Sequence, residues 1–292
     1  MVNTPLILGL LVVGSITGVL SGLLGIGGGL VMVPVLTMLG IPLVQATATS
    51  LVAVFLSAVS GSIRNLQAGE LNWRVSLTLA LFGIVTAQLG AWLGDRAPDG
   101  LLSLAFAGLL LITIYLMALK KSLVQKQARA QLVDAANIEA EIASKVAFEN
   151  TPTAAAETLP PSPPLSQPVF ALLPVAQIGL LAGLLSGLFG VGGGVVMVPL
   201  QMLMLGERIK SAVRTSLGAI VAIAISALAQ HAWNGNVLWI PGIALGLGGV
   251  VGAQLGTRIL PKLPDSSVNT LFRGFLIVLS IYMVLRGIRL LG

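Results

Sequence analysis

"GLLGIGGGLVMVP" occupies Gly22–Pro34, and nearly the same string, "GLFGVGGGVVMVP", returns at Gly187–Pro199. Each sets a glycine triplet between two apolar stretches. Three glycines weaken a helix and bare its backbone, which lipid tolerates only where protein or a water-filled cavity satisfies the freed groups. Glycines also let helices pack closely. Packing alone, however, uses small residues spaced by four, not three in a row with Pro34 or Pro199 five residues on. An interrupted helix at corresponding places in two halves points to the central site of a transporter. A helix restarting after Gly29 or Gly194 offers its unpaired N–H groups and positive dipole end to an anion.

The surroundings are those of an integral membrane protein. The 292-residue chain is 56% hydrophobic and 9% charged, with a mean hydropathy of +0.99. A bilayer solvates that much apolar surface and water does not. Apolar runs fall at about 5–24, 30–40, 46–63, 75–94 and 101–119, then at about 172–189, 195–206, 213–230, 239–257 and 268–285. The runs at 30–40 and 195–206 are too short to cross as regular helices. The run at 5–24 lacks a basic leader and a small-residue cleavage site, so it reads as a retained span. Three regions follow: a first transmembrane repeat over 1–120, a polar cytoplasmic loop over 121–169 and a second transmembrane repeat over 170–292. Within the loop, the helical spacing of Leu, Val and Ile predicts a surface helix, followed by a disordered Pro-rich linker, "NTPTAAAETLPPSPPLSQP".

The two sets of runs are one repeat written twice. Ser21–Pro34 and Ser186–Pro199 agree at 11 of 14 positions. With one inserted residue the match continues: Thr49-Ser50-Leu51 aligns with Thr215-Ser216-Leu217, Trp73 with Trp239, Ala87–Gly90 with Ala253–Gly256, and Pro98 with Pro264. Charge predicts how the halves are oriented. If each half crosses five times, counting its short run, the loops at 64–74, 120–168, 207–214 and 258–262 share one face with 12 of the 16 basic residues. If each short run dips and returns to its own side, that tally falls to 9. Positively charged loops stay in the cytoplasm, so the repeats are expected to be inverted. The expected fold class is all-α integral membrane. It has two homologous, inverted repeats of four to five helices, with a broken or re-entrant helix at each Gly-rich motif.

The doubled G-x-G-G-G-x-x-x-x-P motif, inside two similar hydrophobic halves joined by a polar loop, resembles the TauE/SafE family of sulfite and organosulfonate permeases. The resemblance covers both halves and leaves out the loop from about 120 to 170. It implies a bacterial or archaeal multi-pass transporter of the cell inner membrane, an exporter of a small sulfur oxyanion. Carried over by motif, it implies a substrate site at Gly25, Gly27, Gly28, Gly29 and Pro34, with Gly190, Gly192, Gly193, Gly194 and Pro199.

Other polar residues bear on the same site. Thr49 and Ser50, preceded by Thr47, open one span; Arg214, Thr215 and Ser216 open its counterpart. Their hydroxyls either cap and cross-link helices or line the site, and Arg214 either anchors a cytoplasmic end or meets an oxyanion. Gln88 and Gln254 are interhelical pins or pore-lining donors. His231, the only histidine and the counterpart of Asn65, reads as a satisfied interfacial residue rather than a proton switch. All ten acidic residues fall in expected loops or at span edges, so transport is expected to need no buried acidic relay.

There is no cysteine, no phosphate-binding loop and no His/Cys/carboxylate cluster. No cofactor, metal site, catalytic residue or nucleic-acid partner is expected, and the chain is not read as an enzyme. The expected partners are a small anionic solute and the lipid bilayer. A carrier of another small anion, such as a carboxylate, and a non-transporting scaffold working through residues 120–168 are the competing readings. Gly28→Ala and Gly193→Ala are expected to weaken binding while the protein still inserts. Gly18→Ala, in an ordinary stretch of the first span, is expected to be tolerated.

Overall fold

In the computed structural model the described residues, 4–116 and 172–291, form one compact unit. The surface helix and linker expected within residues 120–168 lie outside them. The described residues are helical throughout: α1 (Thr4–Leu24), α2 (Gly29–Met38), α3 (Leu43–Gln67), α4 (Trp73–Gly94), α5 (Asp99–Leu116), α6 (Leu172–Phe189), α7 (Gly194–Met204), α8 (Ile209–Trp233), α9 (Trp239–Ile259) and α10 (Asp265–Leu291). Eight of these helices are long and apolar enough to cross a membrane; α2 and α7, of 10 and 11 residues, are the short ones. All the regular structure among the described residues is helical, and the protein is a multi-pass membrane protein.

Local chemistry sets the helix ends. Pro174 and Pro241 sit in the first turns of α6 and α9, where a missing N–H costs nothing. The Asn72 side chain accepts from the Val75 N–H at 3.4 Å to cap α4.

The closest packing is made by glycines spaced by four. On α1, a Cβ at Gly14, Gly18 or Gly22 would run into the backbone of α9 at Leu245, Gly249 or Ala253. On α6 the counterparts Gly179, Gly183 and Gly187 press against Leu79, Gly83 and Ala87 of α4. Bare Cα surfaces let two backbones approach closely, which is what associates helices in lipid. Gly18→Ala therefore falls at a tight interface, and the expectation that it is tolerated does not hold. The spacing-by-four signature was present in the sequence; the glycine triplets drew attention from it.

Paired contacts give the helix directions. Contacts of α1 with α9 climb together along both chains, as do those of α3 with α9, from Thr49 at Gly242 to Ser60 at Gln254. Helix α4 climbs in step with α6, and with α8 from Ser76 at Thr215 to Ile84 at Ser226. Between α3 and α8 the order reverses, with Gly61 against Leu217 while Val54 and Ile220 share neighbours. So α1, α3 and α9 run one way and α4, α6 and α8 the other. Helices α3 and α8 form the centre, with Leu51, Val54, Leu217, Ile220 and Ile223 fully buried between them and their neighbours.

Candidate functional site: two crossed helix breaks

The chain breaks between α1 and α2 at Gly25–Gly28, where Gly25, Gly27 and Gly28 take φ of 68°, 74° and 82°. Between α6 and α7 the corresponding values are 67°, 78° and 77° at Gly190, Gly192 and Gly193. A side chain in that left-handed region costs about 1–2 kcal/mol, so the break is written in glycine. The restart comes one residue earlier than the sequence suggests: Gly28 and Gly193 are the N-caps, and Gly29 and Gly194 the first helical residues. Pro34 and Pro199 are buried inside α2 and α7 and withhold the N–H that the carbonyls of Leu30 and Val195 would otherwise receive.

The two breaks touch. A Cβ on Gly29 would overlap the Gly190 carbonyl, and one on Gly194 the Gly25 carbonyl. Gly27 and Gly192 both lie against Val54 and Ile220, each the twelfth residue of its 25-residue helix, so the crossing sits at mid-length of α3 and α8. Ser50 Oγ stands 2.7 Å from the Thr47 carbonyl oxygen and 2.8 Å from that of Gly190. Ser216 Oγ stands 2.9 Å from the Val213 oxygen and 2.8 Å from that of Gly25. Each half's serine thus reaches the other half's break.

The donors at the crossing are unused. The Gly25 N–H still reaches the Ser21 carbonyl, and pairing resumes with Val31 and Met32 onto Gly28. Between them the N–H groups of Ile26, Gly27, Gly28, Gly29 and Leu30 have no acceptor among the described residues. The same holds for Val191 through Val195. All ten of these residues are buried. A buried donor without a partner costs about 1–3 kcal/mol, so two clusters of them, in breaks that touch, form a concentrated demand for an acceptor. Any solute met here meets donors and partial positive charge, with no acidic residue among the glycines.

The same geometry revises the alanine test. At Gly193 a Cβ would lie 2.6 Å from the Ala182 carbonyl oxygen, and at Gly28 3.3 Å from that of Thr17, both on left-handed backbone. Alanine there disturbs packing whether or not a solute is bound, so unchanged folding is no longer expected of either variant.

The remaining sequence-stated residues divide. Thr49 Oγ1 accepts from the Leu238 N–H at 3.0 Å, a structural bond. Thr215 Oγ1 is buried without a partner among the described residues. Arg214 pairs with Glu70 at 2.9 Å, tying the start of α8 to the α3–α4 loop, while its Nε is buried and unpaired. Gln254 donates to the Ser60 carbonyl at 3.0 Å and is an interhelical pin. Gln88 is exposed on the outer surface, in a cleft with Gln230 and Trp92.

Three residues escaped the sequence reading. Ser21 and Ser186, equivalent residues in the last turns of α1 and α6, are fully buried with free hydroxyls, and the Ser21 Cβ lies 3.6 Å from where a Cβ on Gly28 would stand. Gln201 of α7 is fully buried with both amide atoms unpaired. Two turns after Gly194, it lies on the helix stripe that faces the other break. A single polar letter in "VPLQMLML" gave no signal beyond its polarity; its counterpart is Leu36.

The chain is a polytopic helical bundle, and comparison with known proteins places it among membrane transporters. The model of the family described as "Sulfite exporter TauE/SafE" matches residues 10–283. The chain belongs to this family. It is 25% identical to a probable membrane transporter protein of Methanocaldococcus jannaschii, over 94% of each chain. It is also 27% identical to the probable membrane transporter protein YunE of Bacillus subtilis, over 96% of this chain and 97% of that one. A third relative, from Haemophilus influenzae, is 28% identical over 94% and 97%, and carries the same description. No solved structure matches.

Proposed function

We propose that this protein is a secondary carrier that exports a small sulfur oxyanion, sulfite or an organosulfonate, across the inner membrane. The anion is held where the two helix breaks cross. The observation that carries the reading is the set of ten N–H groups, five in each break, that lie on buried residues and have no acceptor among the described residues. Backbone donors suit a pyramidal or tetrahedral oxyanion because they need no buried counter-charge. Gly25, Gly27, Gly28, Gly29 and Pro34 shape one half of the site, and Gly190, Gly192, Gly193, Gly194 and Pro199 the other. The hydroxyls of Thr49, Ser50, Thr215 and Ser216 and the Arg214 guanidinium lie on the helices beside it.

The halves are read as inverted repeats. The opposite directions of α1 and α6, of α3 and α8, and of α4 and α9 support this, as equivalent helices in the two halves. Contacts that join Arg214 to Glu70 and Lys210 to Asp265 gather the basic loops at one end of the bundle, read as cytoplasmic. Residues 121–169 are then a cytoplasmic loop between the repeats. With every residue from Leu23 to Leu30 buried, the conformation is a closed one, and rocking of the halves about the crossing opens it to either side in turn.

Flux in proteoliposomes tests the reading, screened across sulfite, sulfate, thiosulfate, short sulfonates and short carboxylates. Saturable movement of sulfite or a sulfonate is expected. Movement of carboxylates alone assigns the carrier to another anion, and no flux of any solute leaves a scaffold.

A further inference from the structure

We propose that His231 and Asp95 form a proton-binding site that clamps the end of α6 next to the second break. His231 is fully buried near the end of α8. Its Nδ1 lies 2.9 Å from Asp95 Oδ1 and its Nε2 3.1 Å from the Gly187 carbonyl oxygen. Gly187 precedes the first break glycine, Gly190, by three residues.

The chemistry follows from the partners. A carbonyl oxygen only accepts, so Nε2 must carry a hydrogen. A carboxylate only accepts as well, so the short Nδ1–Oδ1 contact also needs a proton between its atoms. A neutral imidazole supplies one N–H, not two. The arrangement therefore holds one proton more than a neutral ring beside an ionised carboxylate. The side-chain amides of Asn234 and Asn236 both donate to Asp95, the latter at 2.9 Å, which favours the ionised carboxylate and places the proton on the ring. When one proton leaves to water, the proton that remains stays on Nδ1, because the ionised Asp95 holds it more strongly than a neutral carbonyl does; Nε2 then turns a lone pair to the Gly187 carbonyl oxygen, and the clamp on α6 is released.

Asp99, at the start of α5 and the same end of the bundle, is engaged elsewhere, accepting from the Leu43 N–H at 3.1 Å and standing 4.0 Å from Arg286. Helix α6 carries no charged residue, and the α8–α9 turn contributes only the two asparagines. Just past α4 the neighbouring cation, Arg96, is exposed and stacks at 3.9 Å on the Trp92 ring. The other cations of α8, namely Lys210 and Arg214, lie at its opposite end, as does Arg74 of α4. Asp95 keeps 11% of its side chain exposed against 1% for His231, so it is the route by which the proton exchanges with water. The first repeat has no equivalent: Asn65 stands at the position of His231 and Pro261 at that of Asp95. The site is one-sided, at the end of the bundle away from the basic loops. The sequence reads His231 as a satisfied residue rather than a proton switch; its two ring contacts agree with the first part, and a proton-binding pair departs from the second.

One histidine in the chain makes the test clean. Wild-type protein labelled with [15N]histidine, in nanodiscs, gives a single imidazole spectrum. Both ring nitrogens should be protonated at low pH, with loss of one proton as pH rises. Hydrogen–deuterium exchange of a peptide spanning Gly187–Gly194, corrected for the intrinsic pH dependence of exchange, should rise roughly tenfold across that titration, the scale of one charge-assisted hydrogen bond. His231→Gln, which keeps an amide donor for the Gly187 carbonyl but cannot titrate, should remove the pH dependence. Asp95→Asn, which removes the carboxylate that Nδ1 faces, should change the pH dependence of that exchange. A ring that stays neutral in the folded protein at every pH overturns the proposal. So does a pH dependence of exchange that survives in His231→Gln or matches wild type in Asp95→Asn.

Discussion

The Ser50 hydroxyl lies 2.8 Å from the Gly190 carbonyl oxygen, 140 residues along the chain, and Ser216 stands at the same distance from Gly25. Each serine also lies within reach of its own helix's backbone, at Thr47 or Val213. Two helices from different halves thus hold each other's break by the same bond, repeated about the centre of the molecule. Ser50→Ala and Ser216→Ala should each lower stability by about 0.5–1.5 kcal/mol, the net worth of one such bond, and by similar amounts. Thermal melts in detergent measure this. Melting temperatures equal to wild type in both variants contradict the shared bond.

The spaced glycines of α1 give a second prediction. Gly18→Ala forces a methyl into the backbone of α9 at Gly249 and should cost about 1–3 kcal/mol, as overpacking does. Gly9, on the same helix with nothing within 4 Å of its would-be Cβ, is the appropriate control. Gly9→Ala should be neutral or stabilising, because alanine is the better helix former. Equal melting temperatures for the two variants run against close α1–α9 packing.

Gln201 supplies a third. Its amide is fully buried with neither atom bonded, a cost of about 1–3 kcal/mol that folding does not recover. Gln201→Leu restores the residue found at Leu36 and should raise the melting temperature. A fall instead shows that the amide is held by groups other than those described.

Orientation gives the fourth. The chain has no cysteine, so single Cys variants at Ala68 and Gly235 report the side of each loop through an impermeant maleimide. The two loops should label from opposite sides. Gly235 has a φ of 73°, and the strain of about 1–2 kcal/mol is bearable in a turn with open space around it. Labelling of both from one side contradicts inverted halves.

Much of this was legible in the letters. The glycine triplets fixed the breaks to within a residue, because only glycine enters the left-handed region cheaply and because each triplet interrupts an apolar run. The duplication paired Thr49-Ser50 with Thr215-Ser216 before any contact was known. Contacts between the halves were not legible. That α1 packs on α9 and α4 on α6 depends on how two similar surfaces assort, and each half alone supplies a partner of the same pattern. Asp95 and His231 lie 136 residues apart, and an acid at a helix end and a lone histidine carry no mark of each other. Gln201 was overlooked for a related reason: its isolation is a property of the folded core.

The central claim is that the crossed breaks lie on the solute path and open to the two sides in turn. Ser50→Cys and Ser216→Cys, each in the native cysteine-free chain, place one thiol beside each break. Their modification by a small impermeant methanethiosulfonate in proteoliposomes, from inside and from outside and with or without a short sulfonate that the protein transports, is the direct test. Both thiols should be reached from each side during turnover, and the sulfonate, which does not itself react with the reagent, should slow the reaction at both. Thiols that stay unmodified from both sides while the sulfonate is transported would place the path elsewhere and contradict the account.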